Sequence, residues 1–166
     1  MKILVTYMSQ TGNTRRVAEA IYGEIKGDCD IKEIKDVKSL DGYDISFVGF
    51  PIHAFGPAQE ADQFLREHSA GKRIALFITH AASEGDVMLQ EWLAKCREAS
   101  EGADIIGMFD CQGELAQPIM DMLINSDDPM MRAFGEQGPL TKGQPDKIRL
   151  KKAQAFALEI IEGAKV

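Results

Sequence analysis

Apolar residues follow two rhythms along this chain. Brief apolar runs bounded by polar or glycine-containing segments fall at residues 2–7, 30–34, 44–50, 73–79 and 104–109, and their Ile, Val, Leu and Phe content predicts buried strands. Between the runs the apolar positions recur at helical spacing. Val17, Ile21 and Ile25 define a helix over 13–25; Ala61, Phe64, Leu65 and His68 define one over 57–68; Leu89, Trp92, Leu93 and Cys96 define one over 86–98. A last helix, with Pro145 near its first position, packs through Leu150, Ala153, Ala157, Ile160 and Ile161 and closes at Gly163. Residues 36–40 allow at most a stubby helix.

Strands alternating with helices require crossover connections of one hand and a sheet covered on both faces. The expected architecture is therefore α/β, a doubly wound five-stranded parallel sheet of order 2-1-3-4-5 in three α/β/α layers. Residues 1–166 are read as a single domain, with an insertion at about 111–143 that carries Pro118, Pro129 and Pro139. In such sheets ligands sit beyond the carboxyl ends of the strands where the strand order reverses, which directs attention to the loops after the first, third and fourth strands.

Composition narrows the function classes. Hydrophobic residues make up 45% and charged residues 27% of the 166, as expected of a folded globular chain rather than a disordered one. Nineteen basic against twenty-six acidic residues leave a net charge of −7, which repels nucleic acid and anionic membrane and favours partners with basic surfaces. Cys29, Cys96 and Cys111 are far apart and form neither a disulfide framework nor a CxxC metal site. With no apolar run of about 20 residues and no targeting segment at the N-terminus, the expectation is a cytoplasmic protein.

The chemistry is concentrated in the first loop. Ser9, Gln10, Thr11, Gly12, Asn13 and Thr14 supply hydroxyls, amides and backbone N–H groups at a helix start, where the dipole favours an anion. The loop has no lysine and neither GxxxxGK[ST] nor GxGxxG, so a phosphate monoester suits it better than a nucleoside triphosphate or a dinucleotide. The simpler alternative is that Ser9 or Thr11 caps the helix and Gly12 permits the turn. A phosphoacceptor receiver would need an acidic cluster here, and a small tyrosine phosphatase a cysteine nucleophile; the loop has neither.

Ser9 to Thr14 resembles the [TS]-x-T-G-N-T phosphate loop of flavodoxins at every specified position. Similarity continues in Pro51, Ile52, His53, Ala54, Phe55 and Gly56, placed like the loop that covers one face of the flavin, and in Thr79, His80, Ala81, Ala82, Ser83, Gly85 and Asp86, placed like the second flavin loop. Flavodoxin with its FMN is one of the examples behind the strand-end rule, so the agreement in location is not independent support. The resemblance implies FMN, its phosphate on the first loop and its ring between the other two, with no metal. Phe55 is the expected stacking residue, and His53 and His80 are expected at the polar edge of the ring, because the Trp and Tyr of many flavodoxins are missing from these loops. The Gly56 carbonyl is expected to face the ring, with Pro57 beginning the next helix and offering no N–H.

Three functions follow as expectations. The first is a flavoprotein of electron transport that serves basic redox partner proteins and has no catalytic residue of its own. The second is an FMN-dependent oxidoreductase with a small-molecule or NAD(P)H substrate, its pocket shaped by helical pieces at 118–124 and 129–134. The third is a binding module that kept the fold without the cofactor. The Met-rich insertion is read as a lid, a docking surface or a satellite core, and Cys111 as a packing thiol rather than a redox one.

Overall fold

A computed structural model describes residues 1–165. Its main strands are β1 (Ile3–Tyr7), β2 (Cys29–Glu33), β3 (Ile45–His53), β5 (Arg73–His80) and β6 (Asp104–Gln112), joined by α1 (Asn13–Glu24), α2 (Gln59–His68), α3 (Val87–Glu98) and α6 (Lys147–Gly163). They form a parallel sheet of order β2-β1-β3-β5-β6, and a two-residue strand β4 (Gly56–Pro57) folds back antiparallel on the end of β3. The doubly wound α/β architecture is the one expected.

The alternation of side chains along each strand explains the two layers of helices. Ile3, Val5, Phe47, Ala75 and Phe77 face α1 and α6, packing on Val17, Ile21, Ala157 and Ile160. Leu4, Val48, Phe50, Leu76 and Ile78 face α2 and α3, packing on Phe64, Leu65, Leu89 and Leu93. Both faces are dry, which is why the strands read as unbroken apolar runs. Fully burying one such side chain stabilises the fold by roughly 1.5–3 kcal/mol.

The structure departs from the expected boundaries mainly on the ligand side. β3 runs on to His53 and turns back through β4, so Pro57 sits in a strand and α2 starts two residues later, at Gln59. The turn carries no glycine or asparagine at its centre, the usual signal of a hairpin, and periodicity could not reveal it. β6 likewise extends past 109 to Gln112. Pro145 precedes α6 instead of opening it: Asp146 is the N-cap, accepting from the Arg149 N–H at 2.9 Å. The expected turn at 36–40 is a single 3-10 turn at Ile34–Asp36. Within the insertion, α4 (Gln117–Ile124) and α5 (Pro129–Glu136) form an antiparallel helical pair where helical pieces were expected.

Candidate functional site

The site is built from its floor, the loop between β1 and α1. Gly12 adopts φ 95°, a left-handed conformation open to glycine, and no side chain caps α1. Ser9 Oγ accepts from the Gly12 N–H at 3.1 Å, just before the helix. The first turn of α1 therefore keeps its N–H groups for an external acceptor. Two contacts fix the loop in place. The Thr14 and Thr79 hydroxyls share a buried hydrogen bond of 2.8 Å, tying α1 to the end of β5. Asn13 Nδ2 donates to the Glu114 carbonyl at 2.9 Å, tying it to the chain beyond β6. Asn13 thus supports the loop from behind, and the neighbouring Gly113 makes room, since a Cβ there would lie 2.7 Å from the Asn13 amide nitrogen.

One wall is the β3–β4 hairpin. Ala54 and Phe55 at its tip have φ 47° and 67°, a conformation unusual for any residue but glycine. This brings the Phe55 ring to 5.4 Å from Trp92 on α3, and Trp92 meets Phe134 of α5 edge-on at 6.2 Å. Aromatic rings from three separate elements thereby line one side. His53 is held below the ordinary histidine value by partial burial, so neutral imidazole is its favoured form in the mouth of the site.

The opposite wall holds His80, whose side chain is wholly buried. Nδ1 lies 3.2 Å from the Ala82 carbonyl and Nε2 lies 2.9 Å from Asp110 Oδ2. Both ring nitrogens are engaged by the protein, which leaves His53 as the histidine with nitrogens available at the polar edge. Cys111 lies in the core on the far face of the sheet, its thiol pushed up to about 12, first by burial and then by Asp110, which suits a packing role.

The roof is the α4–α5 pair. Gly135 lets the helices approach closely: a Cβ there would sit 2.8 Å from both the Ile124 amide nitrogen and the Leu123 Cβ. Of these helices' residues only Met120 and Gly135 are fully buried. Ile119, Met122, Leu123, Met131 and Phe134 instead line a cavity of about 470 Å³ that continues to the α1 loop.

Of the residues expected from sequence, Ser9, Gln10, Thr11, Asn13, Thr14, Pro51, Ile52, His53, Ala54, Phe55, Thr79, His80 and Ala81 line this one cavity. Gly12, Gly56, Ala82, Ser83, Gly85 and Asp86 lie outside its lining. Each has a local task instead: Gly56 is buried in the pairing with His53, the Ala82 carbonyl holds His80, and Asp86 caps α3 through the Met88 N–H. The expected role of the Gly56 carbonyl at the ring has no support in this placement. Trp92 and the segment from Gly113 to Ala116 join the site unforeseen. Trp92 read as core on an amphipathic helix, and only the length of the insertion hinted at the rest.

Residues 4–157 match the flavodoxin domain family. The chain belongs to that family. Among its relatives, a flavodoxin-like domain-containing protein BilS of Clostridioides difficile (strain CD3) is 30% identical over 176 residues, covering 100% of this chain and 99% of the relative. The flavodoxin fold is also that of oxidised Flavodoxin 2 from Bacillus cereus, with a TM-score of 0.61 at 20% identity over 98% of this chain and 99% of that one. A flavoprotein from Lactobacillus acidophilus NCFM, solved in complex with FMN, has a TM-score of 0.53 at 21% identity over 66% of this chain and 92% of that one. As in the flavodoxin reading of the sequence, the loops after β1, β3 and β5 meet at one place.

Proposed function

We propose that this flavodoxin binds FMN in the α1 loop cavity and transfers electrons between redox partner proteins. The observation that carries the reading is the continuity of one cavity from the uncapped start of α1 to the ring cluster of Phe55, Trp92 and Phe134. The two ends are chemically distinct, one offering N–H and hydroxyl donors to a phosphate, the other apolar surface to a planar ring. No lysine or arginine lines the cavity among the described residues, so a phosphate there is held by dipoles and hydrogen bonds, which suits a monoester without a metal.

Bound FMN would supply the reversible uptake of electrons; the residues of this chain bind it, orient it and set its surroundings. Ser9, Gln10, Thr11 and the first-turn amides hold the phosphate, Phe55 and the β3–β4 turn cover the ring, and His53 presents neutral imidazole to its polar edge. The net charge of −7 steers the protein towards partners with basic docking surfaces. A second reading, an FMN-dependent oxidoreductase with its own substrate, is favoured by the apolar roof that Ile119, Met122 and Met131 add above the cavity.

Flavin fluorescence titration of the FMN-free protein tests the cofactor. Tight FMN binding is expected, and T11D, which sets a carboxylate beside the phosphate, is expected to weaken FMN to the level of riboflavin. Indifference of the native chain to FMN overturns the reading. Anaerobic stepwise reduction then separates the two functions: two resolved one-electron steps support the carrier, whereas a single two-electron step with steady turnover of NAD(P)H supports the oxidoreductase.

A further inference from the structure

The cavity that would take FMN is poor in charge. Its chargeable lining side chains are Glu114, His53 and His80. Glu114 turns its carboxylate to the Gly143 N–H at 2.8 Å, and His53 is biased towards neutral imidazole. His80 is different, because both of its ring nitrogens face acceptors. The Ala82 carbonyl can only accept, so Nδ1 at 3.2 Å carries a hydrogen. Asp110 Oδ2 at 2.9 Å from Nε2 is held there by a second proton lying between the two atoms.

The surroundings decide where that second proton rests. The Asp110 side chain is 30% exposed, so its carboxylate keeps contact with water, while the His80 ring is fully enclosed and gains its compensation from two short hydrogen bonds. Gln112 Nε2 donates to the Ala81 and Ala82 carbonyls, orienting the acceptor that Nδ1 uses. Trp92 of α3 and Phe134 of α5 share the cavity and are uncharged. The nearby loop carboxylate, Glu84, is engaged by Arg149 at 2.8 Å and does not compete for the ring. Asp110 is thus the one anion hydrogen-bonded to His80 among the described residues.

We propose that His80, held as an imidazolium by Asp110, is the fixed cation of this cavity and makes it favour a ligand ring that carries negative charge. The proposal rests on the FMN reading and deepens it. Fully reduced FMN bears negative charge on its ring that oxidised FMN lacks, so the pair favours the reduced cofactor. It works against the net charge of −7, which disfavours any further anion. Asp110 is a positioning residue, acting through His80 from behind.

The test uses the full chain. Long-range ¹⁵N spectra of the histidine rings, recorded without FMN at neutral pH, are expected to show hydrogen on both nitrogens of His80 in the native chain. In D110N one nitrogen is expected to be bare, and D110E is expected to restore the second hydrogen. A bare Nε2 in the native chain overturns the proposal. Dissociation constants for oxidised and fully reduced FMN supply the second readout. D110N is expected to weaken the reduced form about tenfold more than the oxidised form, a charge effect. Equal weakening of both forms overturns the selective role and leaves Asp110 a packing residue. If neither form binds the native chain, the FMN reading falls and the selective role with it, an outcome the spectra keep separate from failure of the cation itself.

Discussion

Ala54 and Phe55 occupy left-handed conformations at φ 47° and 67°, and each residue there costs about 1–2 kcal/mol relative to an ordinary conformation. The strain has a structural return. It is this turn that sets Phe55 against Trp92 and closes the mouth of the cavity. Glycine at position 54 removes the Cβ penalty at some cost in chain entropy. A54G is therefore expected to raise stability by about 0.5–1 kcal/mol, read as a higher urea midpoint at unchanged slope. A lower midpoint would show that the turn is not strained as described. Residues such as Ser9 to Thr14 were legible in the sequence because the chemistry is contiguous, and a string of hydroxyls, amides and a glycine at a helix start has few other uses. Trp92 was not legible. On α3 it follows the helical period of Leu89, Leu93 and Cys96, and nothing in that period tells a side chain that fills the core from one that edges a cavity.

Among the elements, the α4–α5 pair depends most on what lies beneath it. A helix of eight residues is marginal alone, and these two rely on each other through Gly135, with Asp128 capping α5 by accepting from the Met130 N–H at 2.9 Å. A side chain at 135 would meet the Ile124 backbone, which cannot retreat as a flexible side chain can. G135V is expected to introduce about 1–3 kcal/mol of overpacking into the roof while leaving the sheet intact. FMN affinity should fall with native far-ultraviolet circular dichroism and an unchanged β-sheet signal; unaltered affinity would mean that the roof does not touch the cofactor. The helices themselves were foreseeable from the prolines and apolar spacing of the insertion. Their position over the cavity was not, because a long connection between the last strand and the last helix can lie on either side of its sheet edge.

For the whole molecule, a net charge of −7 on 166 residues acts at the distance over which partners meet. Electron transfer to a basic haem protein is expected to slow markedly as salt rises, because the screening length shrinks to about 10 Å at 0.1 M ionic strength; a rate independent of salt would remove the charge argument for basic partners. The architecture that carries this charge was written into the chain. Unbroken apolar runs alternating with helical periods admit few packings other than a parallel sheet covered on both faces, since each face must be dry and each crossover right-handed. That is local information, repeated in every strand and helix. The site is different in kind. Closing the hairpin with two left-handed residues, placing Trp92 beside Phe55, enclosing His80 between Ala82 and Asp110, and laying α4–α5 over the cavity all join positions far apart in the chain. By itself the sequence determined the sheet, its helices and the phosphate-type loop, because periodicity and contiguous chemistry act over a few residues. Only the tertiary structure decided which side chains share the cavity and what charge faces it, because those depend on packing and burial, which no single segment contains.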